Sequence, residues 1–426
     1  MSKSSSGYFR NIFCLGIGSI IAQLFNLASQ PILTRLLPTE TIGIYSYLVS
    51  LANVVIPVAA LKVDMLIVNE KDDDEAQYIT DACFILMGVV AAAFTVVIYT
   101  ASFLGTGDLR RYRNFLWLPV LLTISEGIRY ICISYSNRYK QYKMISRIAI
   151  IREGTRAGLQ VLDAFLLKSA FGQMLGQIAA PLLGSKQQLH RYLEKRKDRE
   201  KITWCKFKKV LYKSRQQILY IAPSQFFNTF AYSTIAFSIV SLYSAEELGF
   251  YSISIKVLGL PMLYVTTNVS KVIFRQIGEM KNKGLRTAGF LLKNIAGLLL
   301  LSGGGFSVLY FVAPTACRYI FGERYYIAGL YIRELCLMFA VRFVSTSMAG
   351  LFTAFHKQKY ELFFNLGLLL ATFLAYVAAS IFQYDIFIYL RAVNILSAVI
   401  YGSQITGYLL TAQKSDCALG TADQAD

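Results

Sequence analysis

Apolar residues recur along the chain in twelve blocks, at about 12–34, 43–67, 79–103, 115–136, 146–167, 169–184, 218–241, 249–273, 289–312, 326–350, 361–382 and 386–410. An α-helix rises about 1.5 Å per residue, so about 20 apolar residues cover the roughly 30 Å of a bilayer's hydrocarbon. Most of the blocks reach that length, and only short polar stretches separate them. The pattern predicts an all-α polytopic membrane protein of about 12 transmembrane helices. The fifth and sixth blocks are the least distinct, being parted only by Lys168 and its neighbours. Composition agrees, with 55% hydrophobic and 16% charged residues against about 45–50% and 25% in soluble domains. The first block continues to full spanning length without a small-residue cleavage site, so no cleavable signal peptide is expected.

The formal net charge of +18 would suggest nucleic acid as the partner of a soluble protein. In a membrane protein the same excess follows from loading Lys and Arg onto cytoplasmic loops, so no nucleic-acid partner is expected. With a cytoplasmic N-terminus and twelve spans, the outer segments hold Arg35, Arg110, Arg111, Arg113, Lys168, Arg318 and Arg324. The inner segments hold roughly two dozen basic residues, among them Arg138, Lys140, Lys143, Lys281, Lys283, Lys357, Lys414 and the run from Lys186 to Arg215. Both termini are therefore expected in the cytoplasm. The seven cysteines form no CxxC pair, and most lie in apolar runs, where they read as small core residues.

The basic stretch 185–217 splits the chain into an N-terminal six-helix bundle, 1–184, and a C-terminal one, 218–412, followed by a polar tail, 413–426. Within the stretch, HRYLEKRKDREK and KFKK read as a solvated loop that enforces topology, or as a short basic helix on the anionic inner leaflet. Related segments recur in the two halves. AQLFN (22–26) answers to SQFFN (224–228), and TETIGIYS (39–46) to AEELGFYS (245–252), which pairs Gly43 with Gly249 and Tyr45 with Tyr251. Six helices per half is an even number, so both halves face the same way, as two parallel-repeat six-helix bundles enclosing a central cavity.

Seven basic residues fall deep inside spans: Arg129, Arg152, Arg156, Lys256, Arg333, Arg342 and Arg391. A charge at mid-bilayer costs at least about 2.5–3.5 kcal/mol, so each needs a partner or a polar cavity. Glu126 with Arg129 and Glu153 with Arg156 have i,i+3 spacing, and Glu334 with Arg342 lies on one helical stripe. One reading is a set of salt bridges that lock helices together. The other is a cavity of net positive charge, because seven bases face only Glu126, Glu153, Asp163 and Glu334. Such a cavity suits a phosphate group, which the planar guanidinium fork can grip. Gln23 and Asn26 in the first span, with Gln225 and Asn228 in the seventh, offer uncharged groups to sugar hydroxyls or to one another.

There is no Walker motif, and two histidines, His190 and His356, form no metal or triad site by themselves, so no cofactor is expected. A membrane polysaccharide polymerase would call for a large outer loop, and the outer loops here are short. An exporter of small cations or drugs would call for an anionic cavity, which the buried arginines oppose.

Four stretches carry a resemblance. TRLLPTETIGIYS (34–46), LKVDMLIVNEKDDDEAQY (61–78), GFYSISIKVLGLP (249–261) and FGERYYIAGLYIRELCLMFAVRF (321–343) resemble the polysaccharide-transporter branch of the multidrug/oligosaccharidyl-lipid/polysaccharide exporter superfamily, in particular its O-antigen flippases. The chain departs from the pattern at Tyr326, where Trp is favoured, at Lys62 and Asp64, where Arg and Glu are commoner, and in STIAFSIVS (233–241), which lacks an Asp often found there. The resemblance implies a non-enzymatic flippase of the bacterial inner membrane that moves an undecaprenyl-pyrophosphate-linked oligosaccharide to the periplasmic leaflet by alternating access. Membrane lipids would surround it, and the polymerase and chain-length proteins of the same pathway would be its partners. If transport is coupled to a proton or cation, Glu126, Asp163, Glu334 and Asp64 are the candidate carboxylates.

Overall fold

In the computed structural model, residues 3–105, 107–197, 202–355 and 357–422 are described, with backbone alone at 3–17, 19–20, 197, 263–264 and 418–422. His356, singled out above, lies outside the described residues. The described residues are helical with no strand. They divide into two compact units, Met1–Thr229 with Ser244–Leu248, and Phe230–Tyr243 with Gly249–Asp426.

The first unit contains α1 (Lys3–Leu36), α2 (Thr39–Val55), α3 (Asp64–Asn69), α4 (Asp73–Leu104), the single turn α5 (Asp108–Arg111), α6 (Trp117–Arg138), α7 (Tyr142–Leu166), α8 (Ala170–Lys197) and α9 (Trp204–Lys213). The second predicted span is not one helix. Pro57 has no N–H to continue the ladder, a short 3-10 turn follows over Ile56–Val58, and Leu61 and Lys62 sit at φ 49° and 61°. Such values disfavour side chains with a Cβ, so α2 and α3 are separated by a true break. α4 starts cleanly: Asp72 accepts from the Asp74 N–H at 3.1 Å, and Asp73, Asp74 and Glu75 fill the first turn, where the helix dipole favours negative charge.

The sixth predicted span ends at 184, yet α8 runs on to Lys197. The physical cause is burial of one face of the extension. Ser185, Gln188 and Tyr192 are buried, Gln188 donates to Ser136 Oγ at 2.9 Å, and the Tyr192 hydroxyl bonds to buried Asp81. After the undescribed residues 198–201, α9 packs Phe207 and Val210 into a core shared with Val63, Ile67, Ile79, Cys83, Ile131 and Tyr135. Burying two such side chains contributes about 1.5–3 kcal/mol each. The basic stretch is therefore largely helical, and its second helix is pinned to the bundle. Lys206 reaches Tyr78 OH at 2.7 Å, Lys209 reaches Glu75 at 2.7 Å, and Lys213 bridges Glu70 and Glu75.

α10 (Ala222–Leu242) crosses the division between units, preceded by a π-helical turn over Gln217–Ile221. The second unit continues with α11 (Ala245–Pro261), α12 (Thr267–Asn282), α13 (Ala288–Phe321), α14 (Tyr326–Ser347), the single turn α15 (Leu351–Ala354), α16 (Gln358–Phe382) and α17 (Ile386–Ala422). α11 and α12 together answer to the eighth predicted span, joined by π-helical backbone over Met262–Thr266 just past Pro261. α13 and α14 pack closely because Gly329 faces the Pro314 backbone, and a Cβ there would overlap it. The turn between them needs Gly322, at φ 113°. Twelve long helical passages result among the described residues, with α2/α3 and α11/α12 each counted as one broken passage. Among the described residues, seven helices are long and apolar enough to cross a membrane by length and composition alone. α7 is not among them, and it carries Arg152, Glu153 and Arg156 within its length.

Candidate substrate-binding site

In the first unit, α6 and α7 assemble a charged cluster inside the helical bundle. Glu126 is buried one turn before Arg129 on α6, and the two form an ion pair. The Arg129 guanidinium also lies over the Tyr130 ring at 4.1 Å. On α7, buried Glu153 receives both Arg152, at 2.6 Å, and Arg156, one turn further on. Arg152 stands within electrostatic reach of Arg129 and Glu126, which joins the two pairs. Three arginines thus share two carboxylates, and one positive charge is left over. The i,i+3 pairings expected for Glu126–Arg129 and Glu153–Arg156 are present.

Beside this cluster lies an uncharged network. Gln160 donates to the Tyr45 hydroxyl at 3.1 Å, and Tyr45 donates to Gln177 at 3.0 Å. Tyr45 lies within electrostatic reach of Arg156. Asp163 is placed at the α7–α8 turn, where it accepts from Gln173 at 2.8 Å and from Ser169 at 3.2 Å. Asp64 opens α3 with Lys62 as its charged neighbour, and it accepts from Ser134 at 3.2 Å. On α1, Gln23 and Asn26 are half-buried, and the Asn26 carbonyl oxygen of the side chain accepts from Gln30 at 3.4 Å.

In the second unit, Arg342 of α14 is held differently. Its guanidinium lies 4.2 Å from the centre of the Tyr232 ring and 5.4 Å from that of Phe339. Tyr251 and Tyr401 are also within its electrostatic reach, and Tyr232 is hydrogen-bonded to Tyr401. Its Nε is buried with no hydrogen-bond partner among the described residues, and no carboxylate among them pairs with it. The stripe shared by Glu334 and Arg342 does not make a pair. Glu334 instead binds Arg391 of α17 through two bonds of 3.0 Å, and Arg391 is largely exposed. Eight residues along a helix is about 12 Å, too far for the two side chains to be drawn together when a nearer partner is available. Arg333 donates to the Tyr310 carbonyl at 2.9 Å and overlies that ring. Arg333, Glu334 and Arg391 therefore form a group apart from Arg342. Lys256, Gln225 and Asn228 are half-buried on α11 and α10.

Sequence reasoning did not assign Tyr45, Tyr251 or Tyr401 to the site. The internal repeat held the signal for two of them: Tyr45 and Tyr251 are the paired tyrosines of the repeated segments, and each lies near an arginine of its own unit. The long motif at 321–343 has mostly structural duties, since Tyr325, Ala328 and Tyr331 are buried and Ser254 donates to the Ala328 carbonyl at 2.7 Å.

Nearly the whole chain is similar in fold to solved transporters. The lipid II flippase MurJ in an inward closed conformation matches with a TM-score of 0.69 and 13% identity, over 97% of this chain and 92% of that one. An inward-facing multidrug resistance MATE family transporter of the MOP superfamily matches with a TM-score of 0.64 and 13% identity, over 94% and 96%. A MOP superfamily transporter from Pyrococcus furiosus, described as having a binding pocket of reverse polarity, matches with a TM-score of 0.59 and 15% identity, over 96% of both chains. At such identities the likeness is one of fold. No curated protein matches the chain.

Two sets of six long helices, each with buried charge, in a fold shared with these transporters define a multi-pass helical membrane protein. Residues 32–328 match the family described as polysaccharide biosynthesis protein, and the chain belongs to that family.

Proposed function

We propose that the protein is a flippase for an undecaprenyl-pyrophosphate-linked oligosaccharide, the repeat unit of an O-antigen or another surface polysaccharide. It would carry this lipid from the cytoplasmic to the periplasmic leaflet of the bacterial inner membrane by alternating access, with both termini cytoplasmic. The observation that carries the reading is the surplus of buried positive charge in both units. One charge remains on the Arg129–Arg152–Arg156 cluster after Glu126 and Glu153 are counted, and Arg342 has aromatic company but no acid among the described residues. A site for cationic drugs would need the opposite sign. A pyrophosphate offers several acceptor oxygens, and guanidinium groups bind such oxygens in pairs with charge-assisted hydrogen bonds. Arg152 and Arg156 share one carboxylate, and each guanidinium carries five N–H donors, so donors that Glu153 does not take can turn to phosphate oxygens while the pairing persists. Gln160, Gln177 and Tyr45 are suited to sugar hydroxyls.

The energy source is proposed to be a proton or cation gradient, with Glu126, Asp163, Glu334 and Asp64 as its candidate carboxylates, or consumption of product by the polymerase and chain-length proteins of the pathway. Reconstitution in liposomes with a fluorescent undecaprenyl-pyrophosphate oligosaccharide, scored for leaflet, tests the reading. Protein-dependent movement that is lost in Arg156→Ala is the expected result. Absence of movement with a matched sugar and folded protein, accompanied by cation-driven efflux of a small cationic dye, would replace the flippase by an exporter.

A further inference from the structure

A second concentration of positive charge lies in the second unit, away from Arg342. The end of α12, the turn between α15 and α16, and the last turns of α17 enclose a cleft of about 590 Å³. Small-molecule sites span about 300–1,000 Å³. Three lysines from three different elements line it: Lys281, Lys357 and Lys414. None has a carboxylate partner among the described residues, and no acid lines the cleft.

Of the nearby acids, Glu279 and Asp416 are engaged elsewhere. Glu279 pairs with Arg275 at 2.8 Å. Asp416 caps the start of α13, accepting from the Thr287 and Ala288 N–H groups at 2.8 Å each. Glu361 lies close to Tyr408. Lys281 is partly fixed, since its ammonium donates to the Ala354 carbonyl at 2.8 Å. An ammonium has three N–H donors, so two remain.

The floor of the cleft is aromatic. Phe364 stacks on Phe352 and lies against the α17 backbone at Gly407, where a Cβ would come within 3.0 Å of the ring. One wall, Leu410 of α17, is about half exposed, and Phe363 of α16, next in the chain to the cleft residue Phe364, is exposed. The cleft thus joins a cationic rim to an apolar surface of two long helices, at the end of the unit where lysines collect.

We infer that this cleft binds the phosphate headgroup of an anionic phospholipid of the surrounding bilayer, with the three lysines on the phosphate and the acyl chains along the apolar faces of α16 and α17. A free anion would find the lysines but would have no use for the adjoining apolar wall. Basic pockets between spanning helices hold anionic headgroups in this way, each lysine contributing roughly a fivefold gain in affinity.

The test uses the full-length protein in detergent, with its thermal unfolding midpoint followed as dioleoylphosphatidylglycerol is added in rising mole fraction. The midpoint should rise and saturate, and dioleoylphosphatidylcholine should not reproduce this. Combining Lys281→Gln, Lys357→Gln and Lys414→Gln should raise the half-saturating fraction on the order of a hundredfold. Removing the same charge outside the cleft, by Lys271→Gln, Lys283→Gln and Arg286→Gln, should leave it within about twofold. If the triple cleft variant does not fold, Lys357→Gln and Lys414→Gln singly, both exposed, should each weaken the response roughly fivefold. An undiminished response in the cleft variants overturns the assignment. So does an equal loss in the outside variant, which would mean diffuse surface charge. A rise with glycerol 3-phosphate matching that with the lipid would replace the lipid by a soluble phosphate.

Discussion

The two halves bury arginine in different ways. In the first unit, Arg129, Arg152 and Arg156 are compensated, all but one charge, by Glu126 and Glu153, themselves buried on the same two helices. In the second, Arg342 is held by Tyr232, Phe339, Tyr251 and Tyr401, with no acid among the described residues. A carboxylate partner neutralises the charge and makes the cluster depend on both members. A ring face attracts the cation by its quadrupole, more weakly, and leaves the charge intact. The first arrangement ties stability to the pairing, while the second keeps a full positive charge available for a ligand. A repeated fold therefore need not repeat its chemistry.

The largest effect should come from Glu153→Gln. It strips Arg152 and Arg156 of their shared partner, and breaking a buried pair from one side costs about 3–5 kcal/mol. Loss of protein from the membrane and a lowered unfolding midpoint are expected, with partial recovery on adding Arg152→Gln. If the single variant were as stable as the parent, the cluster would not be a closed ion network. Arg342→Ala should act on transport instead. Loss of charge-assisted hydrogen bonds worth about 1.5–3 kcal/mol predicts transport lower by tenfold to a hundredfold at near-normal abundance. Arg342→Lys should recover little of it, since an ammonium lacks the planar fork. A variant of Arg342 that vanished from the membrane would make the two halves alike.

Tyr232→Leu sharpens the same contrast at lower amplitude. Removing one cation–π contact should cost about 0.5–2 kcal/mol, read as weaker transport with little change in unfolding. The smallest effect concerns the α9 latch. Hydrogen bonding and charge from Lys213 hold Glu70 below the usual carboxylate range. A depressed carboxylate pKa stabilises the folded form above the unfolded value of about 4.3, and the contribution fades as pH falls through the lower folded value. Hydrogen-exchange protection of α9 should accordingly be flat from pH 8 to 5 and decline only in stronger acid. Lys213→Gln should lessen that decline, with the Lys209–Glu75 pair left in place, at a cost of about 1 kcal/mol or less, because Lys213 is partly exposed and screened. A drop in protection between pH 7 and 5 would point to a different titrating group.

Residue spacing along one helix was readable in advance. Glu126–Arg129 and Glu153–Arg156 follow from the three-residue step that brings side chains onto one face, and both pairs occur. Spacing failed where another helix competed, as when Arg391 of α17 took Glu334. The basic stretch was legible as charge but not as structure, because its helix-forming face is buried only once α4 and α6 are there to receive Ser185, Gln188 and Tyr192. Tyr45 and Tyr251 were visible as a repeat, yet their nearness to arginine depends on α7 and α14, which lie far away in sequence.

The order of apolar blocks, the bias of Lys and Arg, and the internal repeat determined by themselves that the chain is a two-part helical membrane protein. Those features record how each segment partitions between water and hydrocarbon, which depends on local composition. Which arginine meets a carboxylate and which meets a ring was decided only by tertiary packing. Ion pairs and cation–π contacts act within a few ångströms, and only the packing of helices distant in the chain brings Tyr232 of α10 against Arg342 of α14, or Arg391 of α17 against Glu334.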